Sequence, residues 1–113
     1  MAIDYYQNEQ ILTSCMADKV AVIGTRASSG NFIVTDERIF YKNRFLPVEE
    51  YQYRDLSGYK TWKVLGIMAT GFTLVTKKGK EIKYASMFRK KIIEALKLKL
   101  PEIKWVTSVT FSN

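Results

Sequence analysis

FTLVTKKGKEIKYASMFRKKIIEALKLKL, residues 72–100, holds two periodicities back to back. In the first part Phe72 and Leu74 alternate with Thr73 and Val75, and Ile82 and Tyr84 with Glu81 and Lys83. That is the period of two expected of strands with one buried face. Between them Lys77-Lys78-Gly79-Lys80 supplies a turn, in which Gly79 can take the positive φ of a short hairpin loop. After Ala85 the apolar residues recur every three to four positions, at Phe88, Ile92, Ala95 or Leu96, and Leu100. Arg89, Lys90, Lys91, Glu94, Lys97 and Lys99 fill much of the remaining surface. The stretch predicts a hairpin followed by an amphipathic helix. Ser86 is the expected N-cap and Pro101 the expected stop, because the residue before a proline is pushed out of the helical region.

Working outward, the texture from Ile11 to Ala85 is β throughout, with Ile, Val, Thr, Tyr and Phe in short runs between polar or Gly-containing breaks. A second hairpin is predicted at Asn31 to Thr35, turning at Asp36-Glu37 and returning through Arg38 to Lys42. A strand around Leu46 to Glu50 contains Pro47, which lacks a ladder donor and belongs near a strand start or on an edge. Tyr53 to Tyr59 and Lys63 to Met68 are the next candidates, with a bulge at Ser57-Gly58. Ile11 to Ala17 reads as the first strand, and Tyr5 to Gln10 as a candidate helical turn. The tail from Glu102 to Asn113, with Trp105, Val106, Val109 and Phe111, reads as an added strand or a cover for an edge.

Strands followed by one C-terminal helix resemble the pleckstrin-homology-like (PH-like) barrel, and particular residues sharpen the likeness. Gly30-Asn-Phe-Ile-Val-Thr-Asp-Glu-Arg-Ile-Phe-Tyr41 is similar to the segment of bacterial PH-like and GRAM-type domains in which a strand ends in Thr, turns through two polar residues and re-enters at Arg. Leu46-Pro47-Val48-Glu49-Glu50-Tyr51 is similar to their short proline-containing strand, and Gly71 to Tyr84 to their last two strands. The resemblance spans roughly Glu9 to Leu100. It implies a mainly β fold of about seven antiparallel strands in a barrel capped by one C-terminal α-helix. It also implies a binding or assembly module with no shared chemistry, since a fold does not fix a function. Lipid-binding members gather basic residues in and around the first hairpin loop, with an Arg-x-Arg pair; here that region offers Lys19 and Arg26, then Asn31 and Phe32. A stereospecific phosphoinositide pocket is not expected.

The 113 residues, 47% hydrophobic and 26% charged, fit one domain over residues 1–113, with room for one core but hardly for a deep solvent-free active site as well. Cys15 is alone, so no internal disulfide forms, and a reducing cytoplasm is the expected setting. The opening residues carry no secretory pattern and no run approaches a membrane-spanning length, so attachment at the inner face of a membrane would be peripheral. Histidine is absent, which removes the commonest general base and zinc ligand and every Ser-His or Cys-His pairing. Asp36-Glu37 and Glu49-Glu50 are adjacent carboxylates, which in a strand point to opposite faces, so turn or surface roles are expected of them in place of a shared-proton pair, and no phosphate-cradling glycine motif occurs. No enzyme, cofactor or metal is expected.

Charge is the remaining signal. Residues 1–56 carry 8 acids and 6 bases, and residues 57–113 carry 3 acids and 12 bases, so the net +7 lies wholly in the second half. Lys77, Lys78, Lys80 and Lys83, with Arg89, Lys90 and Lys91, form the candidate anionic-surface site, one positive face if the hairpin tip and the helix start share a side. Six of these seven are Lys, a point charge suited to diffuse attraction more than to planar phosphate readout. The expectation is an interaction module for a protein partner or a second copy, through an edge strand or the Trp105 to Phe111 tail. Peripheral contact with an anionic membrane is the second reading. Nucleic acid, with Tyr41, Tyr53, Tyr59 or Trp62 stacking on bases, is the third and weakest.

Overall fold

In the computed structural model, residues 3–20, 28–44, 47–63 and 70–103 are described. Among the described residues the β-rich runs form seven antiparallel strands: β1 (Ile11–Lys19), β2 (Ser28–Thr35), β3 (Arg38–Asn43), β4 (Glu49–Gln52), β5 (Leu56–Lys63), β6 (Thr70–Thr76) and β7 (Glu81–Ala85). One helix follows, α1 (Arg89–Leu96). The fold class matches the one the sequence implies. Both predicted hairpins are present, and Gly79 sits at φ 90° in the β6–β7 turn.

The sheet order is β4-β3-β2-β1-β7-β6-β5. Strands β4 and β5 are consecutive in the chain yet lie on opposite edges, joined only by a 3-10 turn at Tyr53–Asp55. Three residues cannot cross a flat seven-stranded sheet, so the sheet must curl until its edges approach. The core fills the curl: Phe32 of β2 meets Phe72 of β6 and Tyr84 of β7 edge-on, with ring centres 4.8 and 5.0 Å apart. Ile92, Ala95, Leu96 and Leu100 pack into the same cluster.

Several boundaries differ from expectation. Tyr53 begins the crossing turn instead of a strand, because the chain there must change edges. β5 then runs unbroken from Leu56 through Lys63, with the expected irregularity between Leu56 and Gly58. Residues 64–68 of the next candidate strand, with Leu46, lie outside the described residues. β4 starts two residues after Pro47, on an edge. Residues 5–10 form no helix; they turn at Gln7 and Asn8, which takes φ 70°. The α1 N-cap is Phe88, although Ser86 still serves the helix start: its hydroxyl accepts from the Phe88 N–H at 2.9 Å and donates to the Met16 carbonyl at 2.6 Å. α1 ends at Leu96, before proline acts, and hydrogen-bonded turns carry the chain to Leu100.

The segment after Pro101 does pair. Tyr59 N–H donates to the Pro101 carbonyl at 3.1 Å, and Ile103 N–H to the Tyr59 carbonyl at 2.7 Å, a short parallel bridge on the β5 edge. Gly58 permits that approach, since a Cβ there would stand 2.4 Å from the Pro101 carbonyl oxygen. Trp105 to Phe111 lie outside the described residues.

Thr73, buried between Lys60 and Lys83 across the outer face of β5–β7, has a hydroxyl with no hydrogen-bond partner among the described residues. An unsatisfied buried hydroxyl costs about 1–3 kcal/mol, so the near-isosteric Thr73→Val should raise stability by about 1 kcal/mol in urea denaturation. A loss of stability instead would show that the hydroxyl is satisfied in solution.

Candidate interaction surfaces

Thr35 and Arg38 bracket the β2–β3 turn. The Thr35 hydroxyl accepts from the Glu37 and Arg38 N–H groups at 3.1 and 3.0 Å, and donates toward the Glu9 carboxylate. Arg38, only 5% exposed, grips Glu9 with two nitrogens at 3.1 and 3.0 Å, reaches Glu50 on β4 at 3.2 Å and donates to the Asp4 carbonyl at 2.7 Å. Its guanidinium lies 3.8 Å from the Tyr6 ring centre and 4.6 Å from that of Phe40. Residues 4–10 are thereby strapped over the outer face of β2–β3, which explains why Ile33 and Phe40 are buried although they point away from the core. Burial pushes the Glu9 carboxyl up, but hydrogen bonds from Arg38, Thr35 and the Tyr6 N–H, with the Arg38 charge, outweigh it and hold the group at about 2, down from 4.5. This is a structural clasp: the Arg38 guanidinium is taken up by Glu9, Glu50 and the Asp4 carbonyl.

A second polar cluster surrounds Glu49. It is paired with Lys19 and accepts from the Tyr51 hydroxyl at 2.7 Å and the Tyr84 hydroxyl at 3.4 Å. Burial, followed by the hydrogen bond to Glu49, pushes the Tyr51 phenol up; burial, with the neighbouring Tyr51 and Glu49, does the same to Tyr84. Both phenols stay protonated at neutral pH and act as donors to the carboxylate. Cys15 is half-buried, 3.4 Å from the Thr13 hydroxyl. Among the described residues no cluster of His, Cys, Asp or Glu could hold a metal ion.

The candidate basic residues fall into two groups. Lys77, Lys78 and Lys80 are exposed on the β6–β7 tip, which closes through Thr76 and docks on the crossing turn by a 2.9 Å bond from Lys77 N–H to the Asp55 carbonyl. Arg89, Lys90 and Lys91 lie past the other end of β7, beyond a strand about 16 Å long at ~3.3 Å per residue. Lys83 stands between them on the outer face, exposed. Lys60, which sequence reasoning did not place in this group, joins that face and pairs with Glu81 at 2.9 Å. Arg89 and Lys90 line a shallow groove of about 380 Å³ with Thr61, Ile93, Glu94 and Lys97, whereas Lys91 borders a different one. Tyr41 and Tyr59, candidates for base stacking, are buried in the core, and Tyr53 is half-buried with its hydroxyl donating to the Thr35 carbonyl.

The surface that sequence reasoning missed is apolar. β1 pairs with β7 only at Asp18 and Lys19, and α1 runs back beside the rest of β1. Along this β1–α1 seam Leu12 and Leu98 are 37% and 70% exposed, and Met87, ahead of the helix, is 88% exposed with Phe88 beside it; Met16, 66% exposed, instead borders a shallow groove with Ser29, Asn31, Lys42 and Arg44. The helical spacing that placed Phe88 inward fails because Phe88 precedes the helix, as its cap.

No family model and no curated protein matches the chain. Among solved structures it is similar to the C-terminal domain of an unknown protein from Leishmania infantum, with a TM-score of 0.71 at 15% identity, over 82% of this chain and 85% of that one. The likeness is one of fold.

Arg38→Met strands the Glu9 carboxylate and should cost about 3–5 kcal/mol, and adding Glu9→Gln should return part of that loss. Because the folded Glu9 titrates below its ordinary value, its contribution is present above pH 4.5 and fades as pH falls toward 2. Urea midpoints of the wild type should fall through that window more steeply than those of Glu9→Gln.

Proposed function

We propose that this chain is a non-catalytic binding module of the PH-like class that engages a protein partner through the β1–α1 seam. The observation that carries the reading is the exposure of Leu12 and Leu98 on either side of the groove between the start of β1 and the end of α1, with Met87 exposed ahead of the helix. Exposed apolar groups gathered along one seam favour a partner, since covering them returns about 25 cal/mol for each Å² removed from water. The antiparallel strand order, the closing helix and the Thr35-x-x-Arg38 turn support the PH-like assignment. The polar clusters at Arg38 and Glu49 are engaged by the chain's own groups, which speaks against an active site there.

The second reading, peripheral contact with an anionic membrane, is favoured by the exposure of Lys77, Lys78, Lys80 and Lys83. Each base near an acidic bilayer contributes about 1 kcal/mol. Among the described residues no helix is long and apolar enough to cross a membrane.

A photo-crosslinking residue placed at Leu98 or Met87 should give discrete protein adducts in cells that make this chain, and the same residue at Lys78 should not. Adducts at Lys78 alone would shift the assignment to the lysine tip. Sedimentation with phosphatidylserine vesicles separates the second reading: if membrane contact operates, Lys78→Glu with Lys80→Glu should abolish binding at low salt, and unchanged binding would end that reading.

A further inference from the structure

We infer that the groove between β5 and α1 receives an extended acidic protein segment, with acids toward its two ends and an uncharged residue between them. The site is separate from the β1–α1 seam and takes a different chemistry, so it goes beyond the reading of that seam as a partner surface. The groove holds about 380 Å³ and is lined by Thr61 of β5 and by Arg89, Lys90, Ile93, Glu94 and Lys97. Three bases face one acid there, whereas the groove beside Leu12 and Leu98 carries one of each, Lys91 and Glu94.

This charge is also unspent. Lys19, Arg38 and Lys60 are tied to Glu49, Glu9 and Glu81. Lys90 and Lys97, by contrast, are exposed and form no ion pair among the described residues. Their backbone is fixed: Lys97 N–H donates to the Ile93 carbonyl at 2.9 Å, and Ile92, Ala95 and Leu96 anchor the helix in the core. A rigid frame that presents uncompensated bases favours a partner of opposite charge.

Spacing narrows the occupant. Lys90 and Lys97 are separated by about 10 Å of helix, at ~1.5 Å per residue. A lone phosphate or carboxylate cannot meet both, whereas two acids four residues apart in an extended chain stand about 13 Å apart, a difference that flexible lysine stems absorb. Between the bases, half-buried Ile93 offers an apolar contact and exposed Glu94 repels a third acid. Nucleic acid would carry phosphates past Glu94, and among the described residues no aromatic side chain lines the groove for base stacking. A second copy of this chain is a poor source of the acids. Its Glu9, Glu49, Glu50 and Glu81 are held by its own bases, and Asp18 and Asp36 accept its own hydrogen bonds.

The test uses the full chain at low salt and a fluorescein-labelled Gly-Ser peptide with two Glu four residues apart and Leu midway, read by fluorescence anisotropy. One control peptide replaces both Glu by Lys, and another replaces Leu by a third Glu. The two-Glu peptide should bind more tightly than either, and Lys90→Glu with Lys97→Glu should weaken it by at least about tenfold with the melting temperature unchanged. The Lys-bearing control should gain affinity for that variant. Leu98→Ser, or Glu at Lys77, Lys78 and Lys80, should leave the two-Glu peptide bound. No binding, tighter binding of the three-Glu peptide, or indifference to the double variant would overturn the proposal. So would a mixed-sequence single-stranded oligonucleotide that binds more tightly than the peptide and is lost in the same variant. Binding that emerges only when residues 104–113 are removed would overturn it by making the chain's own tail the occupant, as would a dimer in light scattering that the double variant dissociates. The two surfaces fail separately: adducts at Leu98 owe nothing to Lys90 and Lys97, and peptide binding here owes nothing to Leu98.

Discussion

The buried pair of Arg38 and Glu9 is the junction on which the rest of the architecture depends. Arg38 belongs to β3, Glu9 to the strap before β1, and Glu50, its second carboxylate, to β4. The crossing turn joins the same point, because the Tyr53 hydroxyl donates to the Thr35 carbonyl. The Arg38 guanidinium and Thr35, through its hydroxyl and its carbonyl, thus tie together residues 4–10, the central hairpin and the place where the chain leaves one sheet edge for the other. A buried ion pair adds little net stability over an apolar replacement, but either half alone is costly to bury. Its contribution is geometric: it holds the strap over Ile33 and Phe40 and fixes where β4 ends.

That economy bears on function. Within the described residues the buried charges and phenols are spent on holding the fold: Arg38 on Glu9, Lys19 and two tyrosines on Glu49. The interior is filled by Phe32, Phe72, Tyr84 and the inner face of α1. Two exterior features are distinct in chemistry and position, a lysine-tipped hairpin and an apolar seam, and they lie on different strands. The hairpin tip carries the exposed Lys77, Lys78 and Lys80, whereas the seam carries the exposed Leu12 and Leu98.

The sequence made the hairpin at residues 72–84 and the helix legible because each is encoded locally, in a period of two and then of three to four. The Thr35 to Arg38 turn was legible as a turn. Its partner was not, since Glu9 lies far back in the chain and nothing in its surroundings marks it as buried. The Tyr53 turn escaped for a related reason: it exists because β4 and β5 sit on opposite edges of a closed sheet, a property of topology. The lysines were found by composition, but their separation by the length of β7 depends on the fold. Leu12 and Met16 read as ordinary strand residues. Only the placement of α1 beside β1, pinned by the Ser86 to Met16 bond, sets Leu12 across a groove from Leu98.

That this molecule keeps its polar clusters for its own structure and meets its partner at the β1–α1 seam is tested most directly by mapping backbone amide shifts in a nitrogen-15-labelled sample as a protein captured by the crosslinker at Leu98 is added. Perturbations should concentrate at Leu12 to Met16 and at Met87 to Leu98, with the amides around Glu9, Arg38 and Glu49 unmoved. Shifts centred on Lys77 to Lys83, or on the residues surrounding Glu49, would contradict it.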